Sequence, residues 1–195
     1  MPRSAVRLVR QALQRGQLKL YLDTTFLLDL LRPERRPASA ELFEEACSRG
    51  WTCSSSFFAR MEALDVEQEH AWFLTRLQAG EHTERLLARR RRRDLTLDEL
   101  RDVFRRFMTT LVERDLERHI QWIPLTLRGK ELDEAMVLAG ESNISAPDCL
   151  HVATALQAGC DVLVTSDDGL RDAARPHIPA VKPEELLAAI HAKRE

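Results

Sequence analysis

Five short apolar runs alternate with helical stretches along this chain, and that alternation restricts the fold more than any other feature. LKLYLD (18–23), WTCSSS (51–56), IQWIPL (120–125), DVLVTS (161–166) and HIPAV (177–181) each read as a strand, DVLVTS most plainly. Parallel neighbours need a crossover connection, and helices supply it. The expected architecture is therefore α/β: a three-layer α/β/α arrangement with a central parallel sheet covered on both faces. The 195 residues suffice for one such domain with a full core, and no internal repeat, low-complexity linker or domain boundary interrupts them.

Residues 24–31 read as a helix opening on Thr24 and Thr25 and limited by Pro33. A second runs from Ser39 to about Arg49, closed by Gly50, and a third covers 57–69. Residues 70–118 read as helix throughout. Their second part is delimited by Thr96 and Glu99 at capping-box spacing, and apolar residues follow at helical intervals. An extended helical hairpin insertion over about 70–118 is expected, its two parts joined through RLLARRRRRD (85–94). Further helices cover 128–141, a stretch capped by Ser145 and closed by Gly159, and 168–174; Pro183 starts the last. Residues 1–17 hold a short basic amphipathic helix over 4–15, with Arg3, Arg7 and Arg10 on one face, read as an ordinary solvated face.

Composition excludes several classes. The net charge is −2, so any nucleic-acid surface must be local rather than global. Cys47, Cys53, Cys149 and Cys160 form no CxxC pair and have no accompanying His cluster. Reduced buried thiols are expected rather than a disulfide framework or a zinc site. No stretch approaches the roughly 18 apolar residues of a membrane span, and MPRSAVRLVRQALQRG lacks the apolar run of a secretory signal. A cytoplasmic protein is the expectation. Asp-Thr-Thr follows the first strand where a dinucleotide fold would carry a Gly-rich turn, and no phosphate-loop pattern occurs. A phosphoacceptor receiver would want a Lys after a late strand, and TSDDGL offers none.

In a parallel sheet of this kind ligands gather beyond the carboxyl ends of the strands. Asp23 ends the first strand, Asp167 ends DVLVTS, and Asp148 lies in the first turn of the helix capped by Ser145. Glu62 sits inside the helix after the second strand and on these grounds alone reads as solvated. Each Asp also has a plain reading as a helix cap or first-turn residue. Carboxylates sharing a cleft repel one another, and a divalent cation relieves the repulsion. Oxygen-only ligands suit magnesium or manganese, metals that stabilise charge building up on a phosphodiester.

Three blocks carry a family resemblance. They are LYLDTTFLLDLL with Asp23, SSSFFARMEAL with Glu62 six positions after a strand-ending Ser, and ISAPDCLHVATALQAGCDVLVTSDDGL with Asp148 and Thr165-Ser166-Asp167. Together they resemble the PIN-domain ribonucleases, and among them the VapC-type toxins of toxin–antitoxin pairs. The match covers about 18–69 and 120–182. Residues 1–17 and the long stretch at 70–118 lie outside it. The resemblance implies Mg2+- or Mn2+-dependent cleavage of RNA by an endoribonuclease. It carries the family's acids onto Asp23, Glu62, Asp148 and Asp167 as metal-binding and catalytic residues. Thr165 becomes a hydroxyl near the metal, Thr24 or Thr25 a second, and Asp168 a further acid ranked below Asp167. It also implies a small antitoxin that blocks the cleft, and a homodimer. The alternative is a PIN-fold module that binds RNA or protein with weak or no catalysis. Loss of acids would mark it, and all four remain here.

Two features stand beside this pattern. Arg85 and Arg89, Arg90, Arg91, Arg92 and Arg93 form a basic run that could grip RNA phosphates or meet an acidic segment, against the plain reading of a solvated hairpin tip. His151 lies one helical turn after Asp148 and could reach the same cleft; without an evident partner it reads as structural.

Overall fold

The computed structural model describes residues 13, 16–91, 93–125, 129–141 and 144–192. Of the helix expected over 4–15 only Leu13 falls among them, and Arg92 lies outside. Five strands form one sheet in the order β3-β2-β1-β4-β5, every neighbouring pair parallel. They are β1 (Lys19–Leu22), β2 (Thr52–Ser56), β3 (Ile120–Ile123), β4 (Val162–Val164) and β5 (Ala180–Val181). Helices α1 (Thr24–Leu31) and α2 (Pro37–Ser48) join β1 to β2. Helices α3 (Phe57–Gln78), α4 (Thr83–Arg89), α5 (Leu97–Glu113) and α6 (Leu116–His119) lead to β3. Then α7 (Lys130–Glu141) and α8 (Ala146–Gln157) lead to β4, α9 (Asp168–Ala174) to β5, and α10 (Pro183–His191) follows. No helix among the described residues is long and apolar enough to cross a membrane.

Side-chain alternation along the strands divides the core into two. Leu20 and Leu22 of β1, Val162 and Val164 of β4 and Val181 of β5 pack with α1, α2 and α10 on one face. Tyr21, Leu163 and Ala180 point the other way and pack with α8 and α9. Both faces of β1 and β4 are buried, which is why these two strands are apolar at consecutive positions rather than at alternate ones.

The α/β/α layering, the parallel sheet and the helical insertion match expectation, but the insertion differs in detail. Residues 70–118 are not one continuous run of helix. The first helix extends from Phe57 to Gln78 and stops at Gly80, whose φ of +86° suits a residue without Cβ. Helix α4 ends at Arg89, and α5 begins only at Leu97, with the expected Thr96–Glu99 capping box. Past Arg89 the described arginines do not extend a self-repelling helix, and three of the run are paired. They reach acids on neighbouring segments instead: Arg89 pairs with Glu81 (2.9 Å) and Asp94 (3.2 Å), Arg90 with Glu69 (2.5 Å), and Arg93 with Asp65 (2.6 Å). Trp72 and Leu86 are fully buried yet belong to neither face of the sheet, so the insertion has a small core of its own. The Trp72 indole N–H closes it by donating to Asp94 (2.8 Å).

Candidate active site

Strand order reverses between β1 and β4: β2 and β3 lie on one side of that pair, β5 on the other. Chain connections diverge there and leave a crevice beyond the strand ends. A cavity of about 470 Å³ lies there, lined by Asp23, Glu62, Asp148 and Asp167 together with Thr24, Thr25 and His151. The four acids singled out in the sequence, drawn from four separate segments, thus share one cleft.

Asp23 is the most deeply held, at 1% exposure. Its Oδ1 caps α1 by accepting from the Phe26 N–H (2.9 Å). Its Oδ2 accepts from the hydroxyls of Thr165 (2.7 Å) and Thr25 (2.9 Å). Capping and cleft lining are therefore one arrangement, not competing readings. Burial pushes the Asp23 carboxyl above its ordinary range, although His151 and the Thr165, Phe26 and Thr25 donors pull the other way. In the metal-free protein, the stability tied to this raised value is fully present below the ordinary value of 3.8 and is lost as pH rises through the folded value. Metal-free wild type should therefore lose stability relative to Asp23→Asn as pH rises above ~4, so that the difference in Tm between the two proteins shifts against wild type. Parallel Tm-against-pH curves for the two proteins would refute this.

Asp148 accepts from the Ser145 hydroxyl (2.7 Å), while Ser145 Oγ caps α8 by accepting from the Asp148 N–H (3.3 Å). Asp167 caps α9 through Oδ1 and the Leu170 N–H (3.0 Å). Its own N–H donates to Thr165 Oγ1 (2.9 Å), which ties the Asp167 backbone to the group that holds Asp23. A Cβ at Gly169 would stand 3.1 Å from Asp167 Oδ1, so the glycine gives that carboxylate room. Asp168 is turned away from the cleft: it pairs with Arg171 (2.7 Å) and Lys182 (3.0 Å), and the Lys182 bond holds its carboxyl below the usual range.

Glu62 projects from the interior of α3, and side chains alone hold it. Its Oε2 accepts from the Thr24 hydroxyl (2.5 Å) and meets His151 Nε2 at 2.8 Å. Burial raises the Glu62 carboxyl, but the bonds to His151 and Thr24 outweigh it and leave the carboxyl below the usual range. His151, 3% exposed, also sits 3.0 Å from the Tyr21 hydroxyl through Nδ1. The sequence offered His151 no partner; the fold supplies Glu62, Thr24 and Tyr21 from positions 89 to 130 residues away. Only the position of Tyr21 within β1, on the face opposite Leu20 and Leu22, could have hinted at this.

The donor set suits a hard divalent cation: carboxylate oxygens, with the Thr25 and Thr165 hydroxyls behind one of them. Among the described residues no three His, Cys, Asp or Glu groups are gathered into a ready-made cluster. All four cysteines are free. Burial pushes the Cys53 and Cys160 thiols up to about 12, which rules out thiolate chemistry there. A second cavity of about 470 Å³ lies between α1, α3 and α5, where Arg32 pairs with Glu67 at 2.7 Å.

The chain matches the PIN domain family over residues 20–176. A toxin–antitoxin complex from Klebsiella pneumoniae aligns with 84% of this chain and 97% of its own at 14% identity, with a TM-score of 0.49. VapBC2 from Rickettsia felis, bound to a DNA fragment from its promoter, aligns with 85% of this chain and 98% of its own at 12% identity, with a TM-score of 0.52. At that identity the Rickettsia structure speaks for the fold alone. No curated protein matches the chain.

Proposed function

Because this chain belongs to the PIN-domain family, we propose that it hydrolyses RNA phosphodiester bonds with Mg2+ or Mn2+ held by Asp23, Asp148 and Asp167, with Glu62 as the fourth working acid. The observation that carries the proposal is the gathering of these four acids in one cleft at the strand-order reversal. A cation bound there supplies positive charge against a phosphodiester and the charge that builds on it during hydrolysis. The chain's own residues orient the reaction. Thr25 and Thr165 keep the Asp23 carboxylate facing the cleft, Ser145 restrains Asp148, and the Leu170 N–H restrains Asp167. Glu62, anchored through Oε2, helps hold the metal or positions a water for in-line attack on phosphorus. The P–O3′ bond breaks, the 3′ oxygen leaves with a proton, and the product keeps a 5′-phosphate.

The three motif blocks point to RNA and to a toxin of a type II pair, with a small antitoxin that covers the cleft and a homodimeric assembly. That VapBC2 has this fold is in keeping with such a role. Titration of the purified chain with Mn2+ over a fluorogenic RNA should give saturable cleavage that a chelator removes. No cleavage at any metal concentration would overturn the proposal.

The arginine turn would contribute an outer contact. Arg93 is bound to Asp65, itself part of the cleft wall, so the turn lies beside the path of an RNA strand entering the cleft. Arg89, Arg90 and Arg93 are shared with acids, which weakens their hold on phosphate. Arg90→Gln with Arg91→Gln should flatten the slope of log affinity against log salt by ~0.7 for the Arg91 contact and by less for the acid-paired Arg90, at ~0.7 per full phosphate contact. An unchanged slope would assign the turn to stability alone.

A further inference from the structure

We propose that Tyr21 and His151 form a positioning relay that sets Glu62 for its task in the cleft, an inference that rests on the reading of Glu62 as a working acid. The other three acids sit at or next to helix N-termini. Asp23 and Asp167 are oriented by backbone N–H groups, and Asp148 by the Ser145 cap. Glu62 lies five residues into a 22-residue helix, where the backbone N–H groups are already committed to the helix. Its direction must come from side chains.

Thr24 and His151 Nε2 both act on Glu62 Oε2. That leaves Oε1 as the oxygen for the cleft. A bond to a carboxylate requires the proton of the ring on Nε2. The opposite tautomer would set a lone pair against Oε2 at 2.8 Å and push the carboxylate aside. What the other ring nitrogen meets selects between the two. Here Nδ1 meets the Tyr21 hydroxyl at 3.0 Å. The Tyr21 hydroxyl is fully buried between two acceptors, His151 Nδ1 at 3.0 Å and Ser56 Oγ at 3.1 Å, and the relay requires that its one proton go to Nδ1. Ser56 Oγ, to which the phenol otherwise donates at 3.1 Å, then gives its own hydroxyl proton to the phenol oxygen. Ser56 Oγ also caps α3, the helix that carries Glu62, by accepting from the Ala59 N–H (2.9 Å). The relay thus runs from β1 through α8 to α3 and is referenced to the start of the helix it serves.

Long-range 1H–15N spectra of the metal-free protein should show the His151 proton on Nε2 and a bare Nδ1. A proton on Nδ1 overturns the relay. Tyr21→Phe keeps the ring and removes the hydroxyl, and should lower kcat about tenfold with KM for RNA within about twofold, as losses behind a metal ligand do. Unchanged kcat in the folded variant overturns the relay. Should that variant not fold, His151→Gln and His151→Leu replace it: the Gln amide can still donate to Glu62, so it should retain roughly tenfold more activity than Leu, and equal rates overturn the relay. Asp23→Asn separates the two levels. An Asp23→Asn protein as active as wild type defeats the proposed chemistry, whereas an inactive Asp23→Asn beside a fully active Tyr21→Phe defeats only the relay.

Discussion

Asp23→Asn and Asp148→Asn are each expected to cut metal-dependent RNA cleavage at least about a thousandfold, which corresponds to ~4 kcal/mol of lost transition-state stabilisation. Both changes are nearly isosteric, and each removes a negative charge from the cleft. At Asp23 the amide can still accept from the Phe26 N–H through Oδ1, so the cap of α1 survives. At Asp148 the Ser145 hydroxyl can still donate to the side-chain carbonyl. Neither variant should lose its fold, and far-ultraviolet circular dichroism with a thermal melt checks this alongside the rate. The losses should not multiply in the double variant, because residues that hold one cation fail together. Cleavage at the wild-type rate by both folded single variants would remove the assignment.

Trp72→Ala should cost about 3–5 kcal/mol, the range for deleting a large buried aromatic side chain. Trp72 is fully buried, and its indole N–H is bound to Asp94. Asp94 in turn takes Arg89 and Arg76, so one truncation removes the packing and one of the three side chains that hold this acid. The cost falls on the insertion, because Trp72 and Leu86 lie outside both core clusters of the sheet, although Phe107 and Leu111 tie α5 into the first of them. The arginine turn makes the effect readable, since trypsin cuts after Arg once the backbone opens locally. A 3 kcal/mol loss raises the open population about a hundredfold, and tryptic cleavage within 85–93 should accelerate by a similar factor. Cleavage at the wild-type rate would mean that the small core does not hold the insertion.

The three Asp residues of the cleft were legible because position along the chain already implied position in space. Asp23 and Asp167 follow apolar strands, and Asp148 opens a helix behind Ser145; a parallel sheet brings such ends to one edge. Glu62 had no such signal. Its place inside a helix is ordinary, and only the resemblance of SSSFFARMEAL pointed to it. The break within 70–118 was hidden for a different reason. Helix propensity is high throughout, and the pairing of Arg89, Arg90 and Arg93 with Glu81, Asp94, Glu69 and Asp65 depends on how the segments fold back on one another.

By itself the sequence determined the α/β/α layering and the parallel sheet and pointed to Asp23, Asp148 and Asp167 by position, because strand–helix alternation and strand-end placement are local patterns with few solutions. Only the tertiary structure decided how each acid is held. Burial of Asp23 under Thr25 and Thr165, and the meeting of Tyr21, His151 and Glu62, join residues up to 142 positions apart. Contacts at that separation follow from strand order and crossover, which no window of sequence contains.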